Sequence, residues 1–276
     1  MTDTTTFSLK DRPLSGKRVL KTWLPLVASW VLMSIEMPII TAMIARLSKP
    51  EVNLAAYGGV SYPVAVAIEA PIVMLLAAST ALSRDWDSYR KLRKITLILG
   101  GACMFLHVLI ASTPLFDFVA GVLLAVPEEV IEPARLGMLF MAPWSLGIGF
   151  RRFQQGAMIR FNHSHMVGET TIVRLMTVGL VLIIGYSLKT IPGTIIAGFA
   201  QGLGVSVEAL YAGLRVRKFQ DEIKQAPPAQ QPLTLKRFSA FYFPLVLITS
   251  LGLLWQPLVS AAVSRMPNPL ESLAVW

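Results

Sequence analysis

The stretch from Pro25 to Tyr57 is written twice in this chain: Pro244 to Trp276 lies over it without a gap. A duplicated unit constrains architecture more than any local propensity, because each copy must fold to the same plan. Pro25, Pro38, Arg46 and Pro50 fall on Pro244, Pro257, Arg265 and Pro269. Leu26, Val27, Leu32, Ala42, Leu54 and Ala55 recur as Leu245, Val246, Leu251, Ala261, Leu273 and Ala274. Apolar identities between apolar segments carry little weight, whereas prolines and an arginine in fixed register carry more. The second copy stops at Trp276, where the first enters its next apolar run, so the chain is expected to be a fragment of a longer protein.

The repeated unit is strongly apolar. Hydrophobic residues make up 54% of the sequence and charged residues 15%, with a mean hydropathy of +0.60, outside the range of soluble domains. The expectation is an all-α polytopic membrane protein whose partner is the lipid bilayer. A net charge of +9 would ordinarily suggest nucleic acid, but the cations sit in short clusters between apolar runs, as the positive-inside rule produces. No nucleic-acid partner is expected. The single cysteine, Cys103, lies in an apolar run, which leaves no disulfide framework and no thiolate metal site. The first apolar run is too long for a removed signal peptide.

Taken in order, residues 1–21 read as a polar, basic cytoplasmic lead with Lys10, Arg12, Lys17, Arg18 and Lys21. A spanning helix needs about 20 mostly apolar residues. Six such runs, within residues 22–214, make a first lobe: 22–47, 54–82, 95–112, 134–150, 167–188 and 192–214. Residues 114–126 suggest an interfacial helix, and Glu128, Glu129 and Glu132 an acidic loop. Residues 215–237, with Pro227, Pro228 and Pro232, form a basic cytoplasmic linker. Residues 238–276 begin a second lobe with helix seven and the start of helix eight. A cytoplasmic amino terminus leaves only Arg46, Lys49, Arg135, Lys189 and Arg265 of the 25 Lys and Arg on the outer side, so every alternate loop obeys the rule. Six spans per unit is an even number. The two halves are therefore expected to run in parallel about an axis along the membrane normal, with a C-terminal lobe missing from this chain. The charge bias fits a bacterial inner membrane.

Ionisable groups in hydrocarbon cost about 3 kcal/mol each on insertion scales and usually face a cavity or a partner. Glu36 lies near the centre of the first span and Glu69 near the centre of the second. Each precedes a proline by two residues, in Glu36-Met37-Pro38 and Glu69-Ala70-Pro71. Proline frees a backbone carbonyl and bends its helix, which makes a local polar pocket for a carboxyl group. Pro38, Pro71 and Pro257 are the expected helix hinges. The two glutamates are expected at similar depth, as a coupled pair able to take and release a proton or sodium ion; the alternative is that either is hydrogen-bonded to backbone as a packing feature. The repeat puts Trp255 where Glu36 stands, so the carboxylate is not required by the fold of the unit. A second constellation, Arg151, Arg152, Gln154, Gln155, Glu169 and Arg174, gathers near the cytoplasmic ends of spans four and five. It can receive an anionic substrate or form a charge lock, but Arg151, Arg152 and Arg160 are read first as interfacial anchors that snorkel. Arg174 sits deeper. Glu208 is expected to be solvated or paired with Arg215 or Arg217, and His107 to be a packing residue with satisfied hydrogen bonds. His163 and His165 lack a third ligand at metal spacing, so no metal or cofactor is expected beyond a coupling proton or sodium ion.

The second helix opens Asn53-Leu54-Ala55-Ala56-Tyr57-Gly58, helix four carries Phe153-Gln154-Gln155-Gly156, and helix seven carries Gln256-Pro257-Leu258-Val259. With two parallel six-helix halves and a proline-rich first helix, this pattern resembles the multidrug, oligosaccharidyl-lipid and polysaccharide exporter superfamily. Within it the pattern is most similar to multidrug and toxic compound extrusion transporters and to the progressive ankylosis protein. The resemblance implies a V-shaped exporter that alternates access between two lobes and exchanges a cation for substrate, with Glu36 the nearest counterpart of the acidic residue many such transporters use in helix one. The expected function is cation-coupled export of small molecules. A lipid-linked saccharide flippase would need a cationic cavity, which the acidic midplane disfavours; an exporter of an anion such as pyrophosphate or citrate fits if Arg174 faces the cavity. A non-transporting scaffold or inactive fragment is the reading from another class, and no cluster of His, Asp or Ser points to an enzyme.

Overall fold

Apolar runs with no water to hydrogen-bond their backbone must satisfy it internally, and helices do so. A computed structural model of the chain describes residues 16–276, and among them no strand occurs. The polar lead, with Lys10, Arg12 and Pro13, lies largely outside the described residues. The long elements are α1 (Gly16–Ile44), α2 (Pro50–Leu82), α3 (Trp86–Ser112), α4 (Glu128–Met141 continued by Pro143–Arg160), α5 (His165–Leu188), α6 (Gly193–Arg217), α7 (Leu235–Val263) and α8 (Pro269–Val275). Between α3 and α4 a turn of helix at Leu115–Asp117 runs on as a π-helical segment, Phe118–Leu123.

Six of these helices are long and apolar enough to cross a membrane among the described residues: α1, α2, α3, α5, α6 and α7. The fourth span expected from the sequence exists as α4 but does not end at Phe150. It runs on to Arg160, so Arg151, Arg152, Gln154 and Gln155 lie in the middle of its second half and lower its apolar content. Those polar side chains are tolerated because most of them face protein: Arg151, Gln154 and Gln155 are buried.

The repeat seen in the sequence is repeated in the backbone. Lys49 (φ 48, ψ 58) and Asn268 (φ 55, ψ 62) both adopt the left-handed conformation immediately before Pro50 and Pro269, where a proline at the first helical position needs no N–H partner. Arg46 Nη1 donates to the Ala42 carbonyl at 2.5 Å, and Arg265 Nη1 donates to the Ala261 carbonyl at 2.5 Å. The register of prolines and arginine thus encodes one hairpin geometry used twice. In the second copy Arg265 also donates to the carbonyls of Leu123 and Leu124, tying the hairpin to the segment ahead of α4.

The three prolines expected to hinge helices behave differently. At Pro257 the missing N–H leaves the Leu253 carbonyl free, and α7 breaks at Leu254. In α2 the helix is interrupted at Met74, three residues beyond Pro71, and the freed Pro71 carbonyl accepts from Tyr242 of α7 at 2.6 Å. At Pro38 α1 stays helical. Near its start α2 also widens into a π-helical turn, Ala55–Ser61, against which α8 packs.

The centre of the lobe is where α4 crosses α2 and α6, and glycine sets both crossings. A Cβ added to Gly198 on α6 would land on the Gly137 carbonyl of α4. One added to Gly156 on α4 would sit 2.5 Å from Ser79 Cβ and 2.6 Å from the Leu76 carbonyl oxygen of α2. Small residues of this kind let helix backbones meet where the bilayer supplies no hydrophobic drive.

The linker is held to the lobe by Asp85. One carboxylate oxygen caps α3 by accepting from the Ser88 N–H at 2.8 Å, and the other accepts from the Ala229 N–H at 2.7 Å. Partial burial works to raise this carboxyl, but the donated N–H groups of Ala229 and Ser88 outweigh it and hold it below the usual carboxylate range. A depressed value stabilises the folded attachment above the unfolded pKa and loses that stabilisation as pH falls through the lowered one. Proteolysis of residues 226–233 should therefore be slow at neutral pH and accelerate in acid below the ordinary range. Asp85→Ala, which also removes a cap worth about 1 kcal/mol, should be cut quickly at every pH; a wild-type protein cut equally fast at neutral and acid pH would contradict this.

Candidate functional site

Four helices bring charged groups together in the interior of the lobe. Glu36 comes from α1, Arg151 and Gln155 from α4, Thr170 and Arg174 from α5, and Gln201 and Glu208 from α6. Arg174 holds Glu36 with two bonds, Nη2 to Oε2 at 2.7 Å and Nε to Oε1 at 3.1 Å, the planar fork that arginine offers a carboxylate. Its Nη2 also donates to the Gln201 side-chain oxygen at 3.1 Å, and its Nη1 lies 3.9 Å from Glu208 Oε2. Glu208 in turn is 3.2 Å from Arg151 Nη1, and its Oε1 accepts from Gln155 and from Thr170 at 3.3 Å each.

The result is a ladder of alternating sign, Glu36, Arg174, Glu208, Arg151, with side-chain exposures of 2%, 6%, 0% and 1%. Two acids and two bases leave it neutral. Arg152, half-buried beside it, rests its guanidinium 6.0 Å from the Trp30 ring. Among the described residues Arg151 Nε and Arg152 Nε have no hydrogen-bond partner.

Glu69 lies elsewhere in the same interior. It is buried on α2, and Ser145 of α4 donates to its Oε1 at 2.8 Å. Ser145 Oγ is 3.1 Å from His107 Nδ1, and His107 Nε2 is 2.8 Å from the Met138 carbonyl. His107 is thus satisfied, as expected, and it also lies one hydroxyl from Glu69. Glu36 and Glu69, expected as a close pair, have different partners, and no hydrogen bond or ion pair joins them among the described residues. Tyr62 stands between the two sites, close enough to feel the charges of Arg174, Glu36 and Glu69, with its ring 6.2 Å from Tyr57 and 5.8 Å from Trp144.

Tyr62 also lines a cleft of about 710 Å³ between α1, α2, α7 and α8, with Met37, Pro38, Thr41, Gln256 and Trp255 on its walls. Trp255, which occupies the place of Glu36 in the repeat, faces this cleft and is half exposed.

Two placements correct the sequence reading. Arg151, read first as an interfacial anchor, is buried and ion-paired, because α4 continues past it, whereas Arg160 at the end of that helix is exposed. Glu208, expected to be solvated or paired with Arg215 or Arg217, is enclosed with Arg151, and Arg215 pairs with Glu169 at 2.5 Å. Gln154 leaves the constellation as well: it accepts from Tyr89 at 2.9 Å. Glu208, Thr170 and Gln201 were absent from the expected site. Their signal was the spacing 201, 204, 208 on a glycine-rich helix, which puts Gln201, Gly204 and Glu208 on one face against α5.

The short motifs now have physical roles. In Phe153-Gln154-Gln155-Gly156, Phe153 packs 4.9 Å from the Tyr89 ring, Gln154 and Gln155 serve opposite networks, and Gly156 allows α2 to approach. At the start of α2, Asn53 Oδ1 accepts from the Thr194 hydroxyl at 2.7 Å and the Thr194 N–H at 3.1 Å, fastening the head of α6 to the turn. Tyr57 is fully buried, and its hydroxyl donates to Met37 Sδ at 3.9 Å.

A family model described as progressive ankylosis protein (ANKH) matches residues 15–269. Among solved structures, a multidrug resistance MATE family transporter of the MOP superfamily, in an outward-facing conformation, superposes with a TM-score of 0.56 at 14% identity. The match covers 86% of this chain and 52% of that one, so the chain spans about half the length of the transporter it resembles, and at this identity the likeness is one of fold.

Proposed function

The chain belongs to the progressive ankylosis protein family, and from that premise we propose that it serves a cation-coupled secondary transporter that moves small organic anions by alternating access across the cell membrane. The observation that carries this reading is the Glu36–Arg174–Glu208–Arg151 ladder. Burying four charges gives little net stability, because desolvation offsets the attraction. Such a ladder is suited instead to exchange of partners, since each inner member has a second one within reach.

The exchange defines the coupling. When a proton or sodium ion takes Glu36, Arg174 is released with its charge uncompensated, and it keeps only Gln201 and the distant Glu208. A carboxylate or phosphate entering past Tyr62 then satisfies it. Cation and acidic substrate bind together, each raising the affinity for the other by the same factor, and so cross the membrane in the same direction. This is the reason to favour an organic anion or pyrophosphate as cargo over a cationic drug, which would compete with the coupling ion for Glu36. Glu69 is a second cation position on the same interior surface.

Glu36→Gln mimics the cation-bound state and tests the reading. Inside-out membrane vesicles carrying the full-length protein should move citrate or pyrophosphate faster in wild type when a proton or sodium gradient is imposed. Glu36→Gln leaves Arg174 with Gln201 and the more distant Glu208, so its folded yield should fall, and in the folded fraction that acceleration should vanish. Wild-type gradient dependence in the variant would remove Glu36 from the mechanism.

A further inference from the structure

The Glu69–Ser145–His107 chain admits few arrangements of its hydrogens, and counting them reveals what it binds. His107 Nε2 faces a carbonyl at 2.8 Å, and a carbonyl only accepts, so Nε2 carries a hydrogen. The Met138 carbonyl is available because Pro143 cannot donate: Ala142 turns its N–H to Leu139 at 3.2 Å instead of to Met138. The same irregular turn sets Ser145 between the glutamate and the imidazole.

Ser145 has one hydroxyl hydrogen and two neighbours, Glu69 Oε1 at 2.8 Å and His107 Nδ1 at 3.1 Å. If it donates to Nδ1, its own oxygen must receive a hydrogen from Glu69, which is then a carboxylic acid. If it donates to Glu69, Nδ1 must donate to it, and the ring is then an imidazolium. A carboxylate with a neutral imidazole leaves one end unsatisfied, because two lone pairs face each other on one side of the hydroxyl. Glu69, Ser145 and His107 are all buried, and a buried polar group without a partner costs about 1–3 kcal/mol.

We propose that Glu69, Ser145 and His107 form a binding site for a single proton. Its two satisfied forms differ only by a transfer along the chain. The Glu69 O–H bond breaks as Ser145 Oγ takes that proton, and the Ser145 O–H bond breaks as its proton goes to His107 Nδ1. A carboxylic acid and a neutral ring become a carboxylate and an imidazolium, and the charge of the group is unchanged. A hard cation such as sodium requires a cage of oxygens, whereas here one position is a ring nitrogen and the other ring nitrogen points its hydrogen at a carbonyl. The site takes a proton.

The charged and titratable groups around it come from several helices. Cys103 stands one turn before His107 on α3 and within the field of Glu69. The fields of Arg151 on α4 and Arg174 on α5 reach Glu69. Tyr62 faces it along α2, and Tyr242 of α7, held at the Pro71 carbonyl, neighbours Cys103. This inference deepens the coupling role of Glu69 but stands on hydrogen-bond geometry alone, so its test needs no transport.

This sequence has three histidines, and with nitrogen-15 histidine in a His163→Gln, His165→Gln background the His107 signals are those that disappear in His107→Gln. At about pH 7 the full-length protein should show one of two pairs of signals: a neutral ring protonated at Nε2 with a carboxylic-acid infrared band that disappears in Glu69→Gln, or an imidazolium with no such band. On raising pH, ring and carboxyl signals should change together at one pH in wild type and at two different pH values in Ser145→Ala. A neutral ring together with an ionised Glu69 at about pH 7 would overturn the proposal, and so would independent titration of the two groups in wild type. Either result leaves the Glu36 reading untouched, and a failure of gradient-driven transport leaves this one untouched.

Discussion

Arg174→Gln should abolish recovery of folded protein from membranes, and Arg174→Gln combined with Glu36→Gln should restore much of it. The single substitution leaves Glu36, which is 2% exposed, without its arginine, and takes from Glu208 one of two cationic neighbours. Removing one partner of a buried ion pair costs about 3–5 kcal/mol, a large share of the roughly 5–15 kcal/mol that holds a typical domain together. Neutralising both ends removes the stranded charge, and two amides in the same space can hydrogen-bond to each other. The measurement is the monodisperse fraction after detergent extraction of the single and double variants. Equal loss in both would mean that Arg174 is needed for its shape or for Glu208, and that the Glu36 pair carries little. The restored double variant should still fail to couple transport to a cation gradient, since the exchange of partners needs both charges.

The second large effect is expected at the helix crossings. Gly198→Ala adds one carbon that would lie 2.1 Å from the Gly137 carbonyl oxygen of α4, and the atom in the way is backbone, which cannot swing aside as a side chain can. Separating α4 from α6 enough to admit it would pull Arg151 away from Glu208. Overpacking a well-filled interior costs about 1–3 kcal/mol, occasionally more, and here it acts on the pair at the centre of the ladder. Gly198→Ala should lower the thermal midpoint of the purified protein by many degrees. Gly101→Ala, on α3 with open space around its Cβ position, should leave it unchanged or slightly raised, because alanine is the better helix former. Similar midpoints for the two variants would show that α4 and α6 are not in contact there.

The contrast between what the residues announce and what only their assembly reveals has a physical basis. The hairpin of α1 and α2 is legible because it is local: proline at the first helical position and an arginine four residues beyond its own acceptor carbonyl determine it within a single turn, so the second copy shows the same geometry. The helix count is legible from apolar length, apart from α4. That helix was cut short because Arg151 and Arg152 after an apolar run look identical, in one dimension, to cations at a membrane surface. Whether an arginine snorkels or is enclosed depends on the partner across the gap. For Arg151 the partner, Glu208, is on another helix, with the whole of α5 between them in the chain. Glu208 was in turn read as solvated or paired with Arg215 or Arg217, about two turns on along its own helix, whereas Arg215 pairs with Glu169 from α5. Glu36 and Arg174 were each singled out as deep charges, and only the packing of α1 against α5 makes them one object. His107 was recognised as a satisfied interior residue; its link to Glu69 depends on the irregular turn at Pro143, which no periodicity reports.

The neutrality of the ladder has an electrical consequence. A membrane voltage of 100 mV does about 2.3 kcal/mol of work on each elementary charge that crosses it, and most transporters must carry some of their own charge through that field when they change shape. In this lobe Glu36, Arg174, Glu208 and Arg151 move as two plus and two minus, and the proton of Glu69 and His107 shifts without altering their sum. On the transport reading proposed above, these groups add little to the work the field does as the lobe changes orientation, and the voltage acts on the cargo.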